Sequence, residues 1–273
     1  MKPPIGRDTR LCMSLAARPG NFGSRFHNRL YERLGLDYVY KAFTTDDLDG
    51  AVRGIRALGV RGCAVSMPFK EIVIPLLDEL AGSAAAISSV NTIVNDDGRL
   101  TGYNTDYSAV RDLLDRAAVD PALPFALRGS GGMAKAVAAA LRDRGHRAGM
   151  IVARNADAGT ALADEYGFAW QAEVTDGAAL LINATPIGMT GGGQDALAFP
   201  LSLIERCAVA FEVVALPPET PFLRTARAAG KVTVAGADVA VLQALEQFVL
   251  YTGVRPSADN VAHAAAFARG EID

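Results

Sequence analysis

Residues 125–144 run from a short apolar strand through a glycine turn straight into an alanine-rich helix, and no other stretch constrains the fold of this chain as tightly. The turn reads Arg128-Gly129-Ser130-Gly131-Gly132-Met133-Ala134. Strand, tight turn and helix in that order bring the unpaired N–H groups of a helix start to the end of a strand, an arrangement suited to an anion. Gly129 permits the sharp turn, Gly131 lets the backbone approach a pyrophosphate, and Ala134 fills the third small position of a dinucleotide fingerprint. A plain βα turn without a ligand is the alternative reading.

The rest of the chain keeps the same rhythm. Residues 11–15, 38–43 and 60–65 read as strands, and residues 24–34 and 46–58 carry apolar side chains at helical spacing. Thr45 and Asp46 look like the cap of the second of these helices. Residues 68–80 read as a further helix entered through Pro68. Residues 87–94, an Asn-Asp-Asp-Gly turn and residues 99–103 then suggest a hairpin on an otherwise parallel sheet. After about Thr105 the alternation restarts, with strands at 124–127, 148–153, 180–183, 208–214 and 231–234 and helices at 133–144 and 156–166. Helices at 239–250 and 258–267 close the chain. Repeated units of this kind imply right-handed crossovers and a doubly wound sheet. The expected fold class is therefore α/β with two domains, residues 1–104 and a Rossmann-type domain over residues 105–236.

Of the 273 residues, half are hydrophobic and 21% are charged, so a globular core is expected rather than disorder. The net charge of -3, with no dense basic stripe, argues against a nucleic-acid surface. No stretch approaches the roughly 18 apolar residues of a membrane span, and the opening Met-Lys-Pro-Pro-Ile lacks the apolar region of a signal peptide. A cytoplasmic protein is expected. Cys12, Cys63 and Cys207 sit far apart in apolar runs and read as buried thiols, without disulfide or zinc spacing. His27, His146 and His263 are too scattered for a metal cluster, and His146 falls in what reads as a solvated loop; no metal is expected.

Several residues could carry chemistry. The strand after the glycine-turn helix ends at Arg154, about twenty residues beyond the turn, where NAD-binding folds place an acidic residue on the ribose hydroxyl. A guanidinium there matches a 2′-phosphate and points to NADP, unless Arg154 is simply one of the chain's many solvated arginines. Asn183-Ala184-Thr185-Pro186-Ile187-Gly188-Met189 follows another strand directly, at the end where α/β sheets bind ligands. Lys70, one of only five lysines, sits where a strand ends and a helix begins. It is either a first-turn surface lysine or an amine able to assist proton transfer at a substrate oxygen. Asp106, at the join of the two domains, either pairs with Lys70 and orients it or caps the following helix, and the two roles are compatible. Asn91 offers an amide near the same strand end. Gln243 interrupts the apolar face of the penultimate helix, so it points into a cleft or is exposed by a local turn.

Taken together, the Ser66–Lys70, Val90–Ile93 and Gly102–Asp106 segments, the glycine turn, the 183–189 loop and Gln243 resemble the shikimate dehydrogenase family, in the family's order and over nearly the whole chain. The resemblance implies reversible NADPH-dependent reduction of 3-dehydroshikimate to shikimate, in aromatic amino-acid biosynthesis. It places the catalytic lysine and aspartate on Lys70 and Asp106. Substrate contacts fall on Asn91, Asp106, Gln243 and Ser66, where the family usually has threonine. Cofactor contacts fall on Gly129, Ser130, Gly131, Gly132, Met133, Ala134, Arg154, Asn183, Thr185, Pro186, Gly188, Met189, Val213 and Gly236. The usual Asn-Arg-Thr around the NADP-binding arginine reads Ala153-Arg154-Asn155 here. The resemblance also implies that residues 237–273 pack back onto the first domain, with Thr105 and Gly236 near the hinges, in a monomer or homodimer.

Two departures stand out. The family's two serines that hold the substrate carboxylate fall on Asn21 and Gly23, and the following proline falls on Ser24, while His27 and Asn28 match. The family's common tyrosine falls on Ala215. These features resemble the shikimate dehydrogenase-like branch and imply weak use of shikimate, with Arg25 or Ser24 as possible replacements for the serines. Quinate or another cyclic hydroxy acid is an alternative substrate, and an NADPH-binding regulator of weak activity an alternative function.

Overall fold

In the computed structural model, which describes residues 2–174, 177–191 and 193–273, the chain divides into two compact units. One comprises residues 1–105 and 241–273, the other residues 106–240. The first unit begins β1 (Arg10–Leu15), α1 (Phe22–Leu34), β2 (Tyr38–Phe43), α2 (Leu48–Ala57) and β3 (Gly62–Val65). Gly35 ends α1 in a left-handed conformation, the geometry that closes many helices on a glycine. The cap of α2 is Asp47, one residue beyond the expected pair, and its carboxylate accepts from the Gly50 N–H at 2.7 Å.

Residues 68–80 are not one helix. Pro75 cannot supply a backbone N–H and its ring crowds the preceding turn, so the helical stretch breaks up. A single turn, α3 (Phe69–Ile72), gives way to a 3-10 turn at Ile74–Leu76 and then to the short strand β4 (Glu79–Leu80). After α4 (Gly82–Ala85), β5 (Thr92–Asp96) and β6 (Arg99–Tyr103) form the expected hairpin, with Asp97 and Gly98 both at positive φ in its two-residue turn. The first sheet runs β2-β1-β3-β5-β6-β4, and β1 is parallel to both neighbours. Its core packs Leu15, Val65, Phe69, Val90 and Ile93 against α2, through Val52 and Ile55.

The second unit is a doubly wound sheet. Its elements are α5 (Thr105–Arg116), β7 (Phe125–Arg128), α6 (Gly132–Asp143), β8 (Gly149–Val152), α7 (Ala156–Tyr166), β9 (Ala169–Gln171), β10 (Leu180–Asn183), α8 (Leu201–Arg206), β11 (Val209–Glu212), α9 (Pro221–Ala228) and β12 (Val232–Val234). The strand order β12-β11-β10-β7-β8-β9 is parallel throughout and reverses direction at β7. Ligands bind outside the carboxyl ends of such strands, at that reversal. Seven residues of α6, Ala134 and those at 136–141, are fully buried, and all but Val137 and Leu141 are alanine, which lets the helix lie close to the sheet. His146 is not solvated: it is fully buried beyond α6, edge-on to the Phe125 ring at 6.0 Å.

The chain then enters α10 (Gly236–Thr252), within which the division between the units falls, and α11 (Ala258–Arg269). Through these helices the C-terminal segment belongs to the first unit. Arg25 and Arg29 of α1 both lie over the Phe267 ring of α11, at 4.7 and 4.5 Å. All three cysteines are buried and free. Among the described residues no helix is long and apolar enough to cross a membrane.

Candidate active site

Each unit carries a cavity at the carboxyl ends of its strands. In the first unit a cavity of about 250 Å³ opens where β1 and β3 end, and it gathers Ser66, Lys70, Asn91 and Gln243 from three separate segments. Asn91 is the anchor of this arrangement. It is buried, and its side-chain oxygen accepts from the Thr105 N–H and the Thr92 hydroxyl, both at 2.8 Å. With that oxygen occupied, the amide group turns toward Gln243 and donates to its Oε1 at 3.3 Å. Gln243 is half-buried and faces the cavity, which resolves the two readings of its position.

Lys70 is half-buried in α3, and its carbonyl accepts from the Val90 N–H at 2.8 Å, tying α3 to the segment before Asn91. Ser66 is exposed at the end of β3, where its N–H donates to the Leu15 carbonyl. Asp106 is buried in the first turn of α5 and is the first residue of the second unit.

The segment at the start of α1 behaves differently from its two matching residues. Asn21 is exposed, makes no capping bond and does not line the cavity. Gly23 does line it, and a Cβ there would stand 3.5 Å from the Tyr40 hydroxyl, an ordinary contact. Ser24 does not line the cavity, and Arg25 is turned to Phe267. His27 and Asn28 hold the helix in place. His27 stacks on Tyr40 with centroids 4.5 Å apart, and burial pushes its pKa down to about 3. Asn28 bonds both the N–H and the carbonyl of Tyr40, fixing α1 against β2.

Four polar side chains of the cavity escaped the sequence reading: Ser14, Arg18, Tyr40 and Gln247. Gln247 follows Gln243 by one helical turn on the same face, a spacing that was available as a signal. Its amide donates to the Thr92 hydroxyl at 3.0 Å and the Asn91 carbonyl at 3.3 Å. Arg18 lies in a loop, where no periodicity marks it.

In the second unit a cavity of about 760 Å³ is lined by Gly129, Ser130, Arg154, Thr185 and Pro186, with Arg128 and Asn155 beside them. Gly129 has φ +125°, and a Cβ there would lie 2.7 Å from the Ala184 carbonyl oxygen, so only glycine lets the turn pass the neighbouring strand end. Gly131 and Gly132 face open space, and α6 begins there without a side-chain cap. Met133 is half-buried and Ala134 fully buried beneath that start. Arg154 is exposed at the end of β8; burial holds the Arg128 pKa below the usual guanidinium range, with the Glu173 charge opposing and the Arg154 charge adding a smaller push in the same direction as burial. Two guanidiniums facing one cavity, with uncapped helix N–H groups beside it, fit a phosphorylated dinucleotide.

The loop that closes this cavity is organised from below by Glu212, which the sequence reading missed. Glu212 is fully buried and accepts from the Asn183 amide at 2.9 Å, the Thr220 hydroxyl at 2.9 Å and the Val214 N–H at 3.0 Å. Burial raises its pKa to about 7. Asn183 in turn accepts from the Thr185 hydroxyl at 2.6 Å and donates to the Ile187 carbonyl. Gly188, at φ +88°, and the partly exposed Met189 continue the loop without lining the cavity. Val213 donates to the Asn183 carbonyl at 3.0 Å. Gly236 is buried so close to the Val214 backbone that a Cβ could not fit. Among the described residues no three His, Cys, Asp or Glu side chains come together as a metal site.

Residues 22–93 match the family model described as the shikimate dehydrogenase substrate binding domain. The "shikimate dehydrogenase-like protein" of Haemophilus influenzae is 55% identical over 267 residues, covering 97% of this chain and 98% of that one. A solved structure of a shikimate 5-dehydrogenase-like protein superposes with a TM-score of 0.96 at 54% identity, covering 97% of this chain and all of the other. The shikimate 5-dehydrogenase of Thermus thermophilus, solved with NADP(H) and shikimate, superposes with a TM-score of 0.83 at 30% identity, covering 95% of this chain and 99% of that one.

Proposed function

This chain belongs to the shikimate dehydrogenase family, in its shikimate dehydrogenase-like branch, and from that premise we propose that it is an NADP-dependent oxidoreductase. Its reaction is reversible hydride transfer between NADP(H) and a cyclic hydroxy acid, either shikimate with 3-dehydroshikimate as its oxidised form, used weakly, or a close relative such as quinate. The observation that carries this reading is the convergence of Ser66, Lys70, Asn91 and Gln243 on one cavity, from positions spread over most of the sequence. Residues 1–104 with 237–273 act as the substrate domain, and residues 105–236 as the NADP domain.

When bound, NADP supplies the hydride acceptor and NADPH the donor. The glycine turn and the start of α6 receive the pyrophosphate, and Arg154, with Arg128 beside it, receives the 2′-phosphate. Asn91 and Gln243 present amide groups that orient the ring hydroxyls, and Ser66 adds a hydroxyl. Lys70 Nζ gives a proton to the substrate carbonyl oxygen as it is reduced and takes it back from the hydroxyl on oxidation. Asp106 is the carboxylate that the family resemblance assigns to the catalytic pair. The reading places the enzyme in the cytoplasm as a monomer or homodimer.

Steady-state kinetics with NADP and shikimate, and quinate in parallel, tests this function. Measurable turnover of at least one acid is expected, with a high KM for shikimate. Fast turnover at low KM would refute the weak-shikimate reading. No turnover of either acid with NADP bound would refute the dehydrogenase reading.

A further inference from the structure

Deepening the substrate reading above, and resting on it only for the identity of the acid, we infer that Arg18 is the carboxylate anchor of the first-unit cavity. The two positions at which the family's carboxylate-binding serines fall offer little here: Asn21 stands outside the cavity and Gly23 has no side chain. A charged group entering the cavity must therefore find its partner elsewhere, because desolvating a carboxylate without one is costly.

Of the side chains lining this cavity, only Arg18 and Lys70 are cationic, and none is acidic. The cavity thus has a positive field and no internal counter-charge. Lys70 is placed for the reacting oxygen. Arg18 makes no ion pair or hydrogen bond among the described residues, whereas neighbouring cations are engaged. Arg25 and Arg29 lie over Phe267, and Lys41 lies over the Phe43 ring at 3.8 Å.

The backbone beneath Arg18 is fixed. Ala17 donates its N–H to the Met67 carbonyl at 3.1 Å and accepts from the Thr44 hydroxyl at 3.3 Å, so the loops after β2 and β3 both grip the residue before Arg18. Pro19 locks its own φ and restricts Arg18 to extended backbone. A planar guanidinium on such a stem can take both oxygens of a carboxylate at once, which a serine hydroxyl cannot. The ligand class is a cyclic hydroxy acid whose ionised carboxylate meets Arg18 while a ring oxygen meets Lys70.

Equilibrium binding of shikimate and of its methyl ester, which keeps the ring and removes the charge, tests this assignment by calorimetry on the NADP-saturated protein. The wild type should bind the acid more tightly than the ester. Arg18→Gln should weaken the acid roughly 10- to 100-fold, the scale of a lost charge-assisted hydrogen bond, and leave the ester within about twofold. Arg18→Lys should recover part of the loss, and NADP affinity should not move. Where shikimate turns over, the Arg18→Gln effect should appear in KM with kcat nearly unchanged. Equal wild-type affinity for acid and ester, binding of neither, or an unaffected acid in Arg18→Gln each overturns the inference. Arg18-dependent acid binding without turnover upholds it and refutes the dehydrogenase reading instead.

Discussion

Glu212→Gln should remove a specific pH dependence from the stability of the second unit. The wild-type carboxyl is fully buried, and its pKa of about 7 lies above the unfolded value of 4.5 because burial penalises the charged form more than its hydrogen bonds favour it. The folded unit therefore keeps a proton that the unfolded chain releases, so the contribution of Glu212 to stability is greatest below about pH 4.5 and is lost as pH rises through 7. At 1.36 kcal/mol per pKa unit, the loss across that window is roughly 3 kcal/mol. Glutamine mimics the protonated carboxyl: its oxygen can accept from Val214 and Asn183, and its amide can donate to Thr220. The variant should lack the decline.

The buried His27 and His146 titrate in the opposite sense, since both resist protonation when folded, so stability falls with pH below the ordinary histidine range. Both remain in the variant and cancel in the difference between the two proteins. The single tryptophan, Trp170, lies in β9 and reports on the second unit alone. Urea unfolding followed by its fluorescence, at several pH values between 4.5 and 8, gives the difference directly. A wild-type-minus-variant stability that is the same at every pH would show that Glu212 is ionised throughout and would refute the reasoning.

Three further outcomes are expected. NADP(H) should bind at least tenfold more tightly than NAD(H), about 1.4 kcal/mol, and Arg154→Ala should abolish that preference in calorimetry; equal wild-type affinities would contradict the phosphate assignment. Lys70→Ala should lower turnover roughly 10²-fold while leaving NADP affinity unchanged, and full activity in steady-state assays would remove Lys70 from the proton path. Gly23→Ser should lower the KM for shikimate up to about tenfold, because the new Cβ makes only ordinary contact with Tyr40 and its hydroxyl enters the cavity; an unchanged KM would show that this position does not meet the substrate.

Elements with strong local signals were legible in the sequence. Tyr38–Phe43, Ala156–Tyr166 and Leu180–Asn183 have the bounds that their apolar patterns and flanking turns suggest. The 68–80 stretch was not, because helical spacing over a proline-broken segment looks the same whether it forms one helix or two short turns and an edge strand. Helix Pro221–Ala228 carried its own signal, Thr220 capping with Pro221 in the first turn, and was overlooked among neighbouring prolines. The edge strand Ala169–Gln171 is only three residues long, too short for a pattern. His146 looked solvated because its neighbours are charged, yet its ring is buried against Phe125.

Within the first-unit cavity, Lys70, Asn91 and Gln243 were legible because they sit at strand ends or interrupt an apolar face, whereas Ser66 entered only through the family resemblance. Arg18 was not, because its place follows from hydrogen bonds of Ala17 to two other loops. Glu212 offered a quieter clue, a lone carboxylate in the apolar strand Val209–Glu212, whose meaning depends on Asn183 and Thr220 arriving from elsewhere.

The most direct test of the central proposal follows the hydrogen itself. Shikimate carrying deuterium on the carbon of its 3-hydroxyl would be incubated with the protein and NADP, and the reduced cofactor analysed by mass spectrometry. One deuterium per molecule of NADPH formed is the expected result, with its formation slowed roughly 10²-fold in Lys70→Ala. NADPH without deuterium, or no NADPH from shikimate or from quinate at saturating cofactor, would contradict the account.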